Sequence, residues 1–405
     1  IKIKEMKKVL GLSLLLTSAT FINCADDDPI DPATVIEAAK TEFVANYVNI
    51  VEASYDDALA KAKDLKTAID AFTKAPDATK FQKAKEAWLD SREPYGQTEA
   101  YRFYDGPIDG ANGEPEGYIN AWPLDEGLID YVTAGTSGST KNLINDTSFN
   151  LTKTSIKELS GNNNNESNVT IGYHAIEFLL WGQDSTAPSE KKAGQRAYTD
   201  YTTAANADRR KQYLQLAAEI LVDDLESVVK QWKPGAAYRK QFLALSKNDA
   251  IDKILTGAAK LSKGELAGER MATAVEKQDQ EEEHSCFSDN THRDIYLNAL
   301  SINNIIHGTY KRIDGSTVTG FSLLDLLLLV NATESATLKT TSEVVMTKVK
   351  AISDAKFFDY QIIGEALDNN TKPVMATVFS LRKQGDQLAQ SGKTITGKII
   401  DASVE

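Results

Sequence analysis

The feature that most constrains the fold is an apolar repeat near the N-terminal side of the chain. Between Val44 and Phe72, apolar residues recur at alternating spacings of four and three. This spacing places one continuous apolar stripe along a helix, as the packing seam of a helical bundle requires. The repeat therefore predicts one long helix that other helices cover, and a dimerising coiled coil is the less favoured alternative. The seam comprises Val44, Val48, Val51, Tyr55, Ala58, Ala62, Leu65, Ile69 and Phe72.

The rest of the chain also has helical periodicity, and no stretch alternates convincingly as a β-strand would. Asp31-Pro32 is a good helix start, because Asp caps the N-terminus and Pro fits the first turn. Pro94 should kink a second helix or end a segment of it. Further helices are predicted at 209–232, 248–285, 343–354 and 372–388.

Two parts of the sequence look distantly alike. Ile108-Asp109-Gly110 precedes Pro123-Leu124-Asp125, and Ile313-Asp314-Gly315 precedes Leu323-Leu324-Asp325. Both pairs of segments follow a long helix and a charged helix, which favours an internal duplication. We therefore predict an all-α fold of two antiparallel helical bundles, a duplicated bundle that shares a central cleft. The expected N-terminal bundle is 34–205, and the C-terminal bundle is 206–405.

The N-terminal segment has the features of a targeting signal. Two lysines precede an apolar run, 9–22, which is too short to span a membrane as a mature helix. The run ends at Cys24, in a context that resembles a lipoprotein signal. We expect residues 1–23 to be the signal peptide, Cys24 to be the lipidated residue and 24–33 to be an acidic tether. Simple secretion with cleavage near Ala19 is the less favoured alternative.

Charge and cysteine content limit the possible partners and disulfide bonds. The formal net charge is −13, and residues 1–23 carry four lysines and one glutamate, so the remaining chain is more acidic still. An acidic surface argues against nucleic-acid partners and is compatible with attracting cations. If Cys24 carries lipid, Cys286 has no cysteine partner for a disulfide. The expected location is the cell envelope, on the outer membrane or facing the periplasm, with the lipid as the membrane contact.

The stretch 171–184 is almost entirely apolar, yet it contains His174 and Glu177. Residues three apart lie on the same face of a helix. Because apolar residues cover the rest of the cylinder, we expect this helix to be buried all round. A buried carboxylate is costly unless a metal or another cation pairs with it. On spacing alone, a buried ion pair without any ligand is slightly favoured over a metal site.

The surrounding sequence, Gly172-Tyr173-His174-Ala175-Ile176-Glu177, resembles the GxHxxE signature of the imelysin-like proteins. Nearly the whole mature chain resembles that family, including the Trp-x-x-x-Arg-x-x-Tyr pattern at 88–95 and the segments at 122–126 and 286–292. The resemblance implies an all-helical envelope protein connected with iron uptake, with other iron-uptake proteins as partners. It also implies a metal, iron, or an iron-containing ligand at His174 and Glu177. The founding member carries a peptidase label, but a general peptidase mechanism does not follow from these residues.

Six further residues are candidates for the same site. Arg92 and Glu93 adjoin Pro94, where a break in the helix can turn charged groups inward. A solvated charged face is the simpler interpretation, but the resemblance favours a site role for both residues. Paired Glu-x-x-His units hold iron in helical bundles, and Glu281 and His284 have that spacing. Asp289 follows in the family-like segment, although a solvated acidic run is the usual meaning of such residues. Asp125 is a helix cap or a site carboxylate, with capping favoured. The set is Arg92, Glu93, Asp125, Glu281, His284 and Asp289.

Three functions remain open on the sequence. The first is a lipid-anchored envelope protein that binds iron or an iron-containing ligand between two bundles, since imidazole and carboxylate both suit iron. The second is a metal-dependent peptidase. The chain has no HExxH motif, and an inverted zincin would need histidine where Phe178 stands, so zinc hydrolysis of these kinds is disfavoured. The third is a structural surface lipoprotein without a small ligand.

Overall fold

The computed structural model describes residues 31–110, 115–132, 142–161 and 167–404. Helices dominate these ranges, so the all-α prediction is confirmed. The predicted signal peptide, Cys24 and residues 24–30 of the 24–33 tether lie outside the described residues. Of the helices described, none combines the length and the apolar character needed to cross a membrane.

The longest helix is α1, Pro32–Lys74, whose 43 residues extend about 65 Å. The Asp31 carboxylate caps it by accepting a bond from the Ala33 N–H at 3.1 Å, as predicted. Every seam residue from Val44 to Phe72 is buried. The seam is therefore covered within one chain, and the bundle interpretation of the repeat is correct.

A first group of helices packs around α1. The short turn at 75–77 leads into α2, Ala78–Tyr95, which ends one residue after Pro94 and continues as a 3₁₀ turn, Gly96–Tyr101. The break at Pro94 is as predicted. Helices α2 and α7 (Ala207–Trp232) both pack on α1, although the predicted domain division places α7 with the second bundle. The other helices of this group are α3 (Glu116–Ile119), α4 (Glu126–Ile129), α5 (Lys153–Leu159), α6 (Gly172–Trp181), α7 (Ala207–Trp232) and α8 (Ala237–Ala244).

A second group of helices follows in the chain. Its elements pack mainly on one another, and α11 (Thr291–His307) also packs on the 3₁₀ turn that follows α2. The centre between the two groups is therefore formed by α2 and α6 on one side and by α11 with its preceding segment on the other. The helices of this group are α9 (Lys247–Lys260), α10 (Thr273–Lys277), α11 (Thr291–His307), α12 (Leu323–Val330), α13 (Ala332–Ala355), α14 (Phe358–Ile362) and α15 (Pro373–Thr396).

Two features differ from the sequence prediction. The tract 248–285 is not one α-helix, because Leu261–Ala272 is a π-helix and the chain leaves the helix after α10. A small antiparallel hairpin, β1 (Thr309–Lys311) with β2 (Thr317–Thr319), was not predicted. Strands of three residues are too short to show an alternating pattern in the sequence.

The hairpin is held to α1 by side-chain bonds rather than by a larger sheet. The Asp57 carboxylate, which is buried, accepts bonds from the Tyr310 hydroxyl at 3.1 Å and from the Arg312 guanidinium at 2.6 Å. The Asn46 side-chain amide donates to the Gly308 and Phe321 carbonyls at 3.0 and 3.2 Å. These bonds join the second helix group to the central part of α1, between Asn46 and Asp57.

Candidate functional site

Helix α6 carries the predicted centre, and all ten of its residues are buried, as expected. Its first residue, Gly172, has φ +88°, a conformation that side chains other than glycine rarely adopt. A Cβ atom placed there would stand 2.7 Å from the Ile119 carbonyl oxygen and 2.8 Å from that of Tyr118. The glycine of the motif therefore lets α6 start directly against the backbone of α3.

His174 and Glu177 face each other on α6 and form the first histidine–carboxylate pair. His174 Nδ1 lies 2.9 Å from Glu177 Oε2, and the two side chains are 1% and 0% exposed. Ser288 fixes the other carboxylate oxygen, Oε1, with its backbone N–H at 2.9 Å and its hydroxyl at 2.6 Å. The buried His174 Nε2 has no hydrogen-bond partner among the described residues. The only polar atom of this pair left unused is thus a ring nitrogen.

A second histidine–carboxylate pair lies across from the first. His284 Nδ1 is 2.8 Å from Asp294 Oδ2, and the Ser285 hydroxyl donates to the same oxygen at 2.5 Å. Arg92 donates to Asp294 Oδ1 from Nη2 at 3.1 Å and from Nε at 3.3 Å. His284, Asp294 and Arg92 are each 1–2% exposed. This pair repeats the first one: an imidazole whose Nδ1 is held by a fixed carboxylate.

The two imidazole rings meet at the centre. Their centroids are 4.7 Å apart and their planes are inclined at 76°. Burial lowers the pKa of His174 to about 3, and the same cause lowers the pKa of His284 to about 3. Both imidazoles are therefore neutral at physiological pH, which is the form that binds metals.

The pKa values of the two carboxyl groups of these pairs are shifted in opposite directions. Burial raises the pKa of Glu177 to about 8, an effect that the bonds from Ser288 only partly offset. Burial also opposes ionisation of Asp294, but Arg92 and His284 outweigh it and hold the pKa of Asp294 below its usual range. Asp294 is thus a permanent anion paired with Arg92. Glu177 has no salt bridge to Lys or Arg among the described residues.

A network of buried charges surrounds the second pair. Arg92 Nη1 donates to Asn120 Oδ1 at 2.5 Å, and Asn120 Nδ2 lies 3.3 Å from Glu99 Oε1 and 3.5 Å from His284 Nε2. Arg270 Nη2 donates to Glu99 Oε2 at 2.8 Å. Burial opposes ionisation of Glu99, but Arg270 and Arg102 outweigh it and lower its pKa to about 2. The network places the Asn120 amide, and behind it the Glu99 carboxylate, on the Nε2 side of the His284 ring.

A polar cavity of about 370 Å³ reaches this network from outside. The Trp122 ring covers one side of His284, with the ring centroids 5.9 Å apart. The cavity therefore gives a small ligand access to the His284 ring. The polar and aromatic residues that line the cavity include Arg102, Glu116, Asn120, Trp122, Arg270 and His284.

Of the six secondary candidates, Arg92 and His284 lie in the centre. Glu93 lies elsewhere: it pairs with Arg293 at 2.6 Å, and its side chain is 44% exposed. Proline at position 94 ends α2 without turning Glu93 inward. The prediction for Glu93 is therefore not supported by its position, because neighbouring helix residues project about 100° apart.

Glu281, Asp289 and Asp125 lie at other positions. Glu281 and His284 are not on one helical face, because Glu281 belongs to a 3₁₀ turn, Gln280–Glu282, and His284 follows it in a non-helical segment. Burial and the neighbouring Glu126 raise the pKa of Glu281 to about 7. Asp125 occupies the N-cap position of α4, but its side chain does not make the capping bond. Asp289 belongs to a separate acidic cluster described below.

Sequence reasoning missed several residues of the centre, chiefly Asp294, Ser288, Asn120, Glu99 and Arg270. One signal for Asp294 exists in α11, where Asp294, Asn298 and Ser301 recur at spacings of four and three among Ile and Leu residues. That spacing places polar groups on one face, and a solvated face is its usual meaning. Ser288 and Asn120 lie in loops, where periodicity gives no information.

The chemistry available at the centre follows from which atoms are bonded. The Ser285 and Ser288 hydroxyls donate to carboxylates rather than to imidazoles, so neither makes the serine–histidine contact of an acyl-transfer triad. Within the described ranges, no three His, Cys, Asp or Glu side chains already stand in a metal-binding arrangement. The free ring nitrogen of His174 and the carboxylate held on its Nδ1 nonetheless match the way proteins orient metal-binding histidines.

The fold and the centre together define a class: an all-helical protein with paired histidine–carboxylate units buried between two helix groups. The family model described as Imelysin matches residues 51–388, and the chain belongs to the imelysin family. Iron-regulated protein A of Synechococcus elongatus is 24% identical over 277 residues. That alignment covers 66% of this chain and 63% of the relative, so the chain spans less than two thirds of the relative's length.

Two solved structures share the fold. A crystal structure assigned as an iron-regulated protein A precursor from Parabacteroides distasonis superposes with a TM-score of 0.67 at 18% identity, covering 93% of this chain and 98% of that one. An imelysin-like protein from Psychrobacter arcticum gives a TM-score of 0.57 at 16% identity, covering 95% and 100%. At these identities the likeness establishes the fold.

Proposed function

We propose that this protein is an envelope lipoprotein of imelysin type that takes part in iron uptake and binds iron, or an iron-containing ligand, at its histidine centre. His174 and His284 are the proposed metal-binding imidazoles. Glu177 and Asp294 hold these rings through Nδ1. Glu177 has no salt bridge to Lys or Arg among the described residues, so it is also the carboxylate proposed as a metal ligand. The observation that carries the proposal is the buried His174 Nε2, which has no hydrogen-bond partner among the described residues.

An unpartnered ring nitrogen at full burial costs free energy unless a ligand uses it. When Glu177 is ionised it accepts the Nδ1 hydrogen of His174, which leaves Nε2 as the lone-pair donor, and burial keeps the ring neutral. A neutral, oriented imidazole suits Fe²⁺ among other transition metals. The His284 ring lies edge to face with the His174 ring, and its own Nδ1 is held by Asp294, so the two rings can supply two nitrogen ligands.

The charges of the centre also favour a cation. Asp294 is paired with Arg92 and Glu99 with Arg270, whereas Glu177 has no such partner among the described residues. A cation beside His174 would provide the missing positive charge and favour the ionised carboxylate. Two imidazoles alone make a weak site, so Glu177, Asn120 or Glu99 must supply a further ligand.

Iron is favoured as the metal because relatives carry the name iron-regulated protein A. The lipid anchor at Cys24 and the envelope location rest on the N-terminal sequence alone. In this proposal the anchor keeps the centre near the membrane across which iron is taken up, and other iron-uptake proteins are its partners.

Metal analysis of protein purified without a metal-affinity tag tests the proposal. Fe²⁺ is added anaerobically, excess metal is removed, and iron per chain is measured for wild type and for His174→Ala, His284→Ala and His307→Ala. We expect about one iron per chain in wild type, loss of that iron in the first two variants, and retention in His307→Ala. His307 lies at the C-terminal end of α11 and serves as the control for losing a histidine.

Circular dichroism distinguishes loss of the site from loss of the fold. Each variant must keep the helical spectrum of wild type for its iron content to count. Equal iron in His174→Ala and in His307→Ala would refute the proposed site. Wild-type protein that takes up no iron would refute iron binding altogether.

A further inference from the structure

A second group of acidic side chains lies beside the histidine centre and takes no part in it. It comprises four residues, each 1–5% exposed: Asp184, Glu283, Asp289 and Asp359. Asp184 follows α6, Glu283 and Asp289 lie on the segment that precedes α11, and Asp359 lies in α14. The acidic cluster therefore joins three separate parts of the chain in a buried place.

Several oxygens of the acidic cluster are unpartnered. Neither Glu283 carboxylate oxygen has a hydrogen-bond partner among the described residues, and the same holds for Asp289 Oδ2 and Asp359 Oδ1. Asp184 differs, because its Oδ1 accepts bonds from the Thr186 N–H and hydroxyl at 3.1 and 2.7 Å. Buried carboxylate oxygens are ordinarily satisfied, so four such atoms in one cluster indicate something that binds them.

The groups that face the acidic cluster are mostly anionic. Burial, then Asp359, Asp289 and Asp184, raise the pKa of Glu283 well above its usual range, and the nearby Thr291 hydroxyl offsets this only in part. Burial raises the pKa of Asp289 to about 8, and the charges of Asp184, Asp359 and Glu177 contribute to that increase. Burial raises the pKa of Asp184, the bonds from Thr186 oppose that shift, and Glu190 adds to it. Burial raises the pKa of Asp359, and Asp184 acts in the same direction. The Lys191 ammonium, which stands 4.0 Å above the Tyr360 ring, lowers the pKa of Asp359 by less than Asp184 raises it.

We propose that Asp184, Glu283, Asp289 and Asp359 form a second cation site, for a hard divalent cation such as Ca²⁺ or Mn²⁺. All four supply carboxylate oxygens and none supplies nitrogen or sulfur, which is the ligand set that hard cations prefer. The side chains do not stand in a completed arrangement, since no ready-made group of three exists in the described ranges. Binding would draw the carboxylates together, as the flexible coordination of Ca²⁺ permits.

The site has a structural consequence for the histidine centre. Glu283 and Asp289 bracket the segment that carries His284 and Ser288, the residue that fixes Glu177. A cation held by this segment would tie it to the end of α6 through Asp184 and to α14 through Asp359. The second cation would thus keep the two helix groups together around the first site, and it does not depend on which metal the histidines bind.

Mn²⁺ binding to the full chain tests this inference. Free Mn²⁺ is followed by electron paramagnetic resonance during titration of metal-stripped protein at pH 8, with Ca²⁺ added as a competitor. The test variants are Asp359→Asn and Glu283→Gln, which keep the shape of the side chain and remove one charge each. We expect saturable Mn²⁺ binding that Ca²⁺ displaces, weakened at least about tenfold in each variant.

Two controls make the outcome specific. Asp354→Asn removes an exposed carboxylate near the end of α13 and should bind Mn²⁺ as wild type does. His174→Ala removes the proposed iron ligand and should retain the Ca²⁺-displaceable site, so failure of one site is distinguishable from failure of the other. Unchanged Mn²⁺ affinity in both Asp359→Asn and Glu283→Gln would overturn the inference. So would wild-type protein without Ca²⁺-displaceable binding, which would mean that the cluster holds only protons.

Discussion

The imidazole rings of His174 and His284 meet edge to face with their centroids 4.7 Å apart, although one ring belongs to α6 and the other to the segment before α11. Each ring is held through Nδ1 by its own carboxylate, Glu177 or Asp294. The centre therefore exists only where the two helix groups meet, and neither group contains it alone. Substitutions that loosen this contact should affect both histidines together.

Glu177 gives the first prediction, because burial raises its pKa from the ordinary 4.5 to about 8. Between pH 4.5 and 8 the folded protein keeps a proton that the unfolded chain has released. The stability due to this proton is therefore complete below pH 4.5 and is lost as pH rises through 8. Glu177→Gln cannot ionise, so its stability relative to wild type should increase from pH 5 to pH 8.

Chemical unfolding of both proteins in chelator at pH 5 and pH 8 measures this difference. The lowered pKa of His174 has the opposite pH dependence, between pH 3 and 6.5, but it acts in both proteins and largely cancels. A Glu177→Gln protein that is less stable than wild type by the same amount at both pH values would contradict the prediction. It would mean that Glu177 serves as an ionised structural partner.

Arg92 gives the second prediction, since it is the cation that pairs with the buried Asp294. Arg92→Leu leaves that carboxylate without a counter-charge and should lower the free energy of unfolding by about 3–5 kcal/mol. The double variant Arg92→Leu/Asp294→Asn removes both charges and should recover part of the loss. Urea unfolding of the single and double variants measures both effects.

A matched control exists nearby in Arg293→Leu. Arg293 pairs with Glu93 in a bridge whose side chains are 30% and 44% exposed. A bridge of this kind contributes only about 0–1 kcal/mol. Equal losses for Arg92→Leu and Arg293→Leu would show that burial of the Arg92–Asp294 pair has no special energetic role.

The contrast between Arg92 and its neighbour Glu93 shows how far sequence reasoning extends. The seam from Val44 to Phe72 predicts α1 because apolar periodicity depends only on local spacing. The same logic predicts that α6 is buried and that His174 faces Glu177. It does not distinguish Arg92, which is buried, from Glu93, which is about half exposed, because the break at Pro94 leaves the orientation of each side chain undetermined.

The second half of the centre depends on contacts that are distant in the sequence. Asp294 reaches Arg92, which is 202 residues away in the chain, only after α11 packs on the first helix group. The segment 281–289 has helical composition but lies in turns, so the Glu281–His284 spacing was misleading. Tertiary packing overrides local propensity there, and a loop residue such as Ser288 has no sequence pattern that places it on Glu177.

Cys24 gives the third prediction, which concerns the membrane. If Cys24 carries two or more acyl chains, each buried CH₂ adds about 0.8 kcal/mol, and the protein should partition stably with membranes. Cys24→Ser expressed in cells should move the protein to the soluble fraction, whereas Cys286→Ser should leave it with the membrane. Fractionation followed by immunoblotting measures this. A Cys24→Ser protein that stays with the membrane would mean that another feature anchors the chain.

Gly172 gives the last prediction, since it opens α6 against the backbone of α3. Gly172→Ala places a methyl group 2.7 Å from the Ile119 carbonyl oxygen, at a φ of +88°. Gly235 has the same φ, +88°, but nothing lies within 4 Å of the Cβ position. Gly235→Ala should therefore cost only the backbone strain, about 1 kcal/mol.

Gly172→Ala should cost that strain together with about 1–3 kcal/mol for overpacking, and it should also displace His174. Because α6 starts at this residue, a shift of its first turn moves the His174 ring away from His284. Thermal unfolding of the two variants isolates the effect of the close approach, and iron content reports the position of His174. If Gly172→Ala and Gly235→Ala lose equal stability, the backbone contact with α3 is not what requires glycine in the motif.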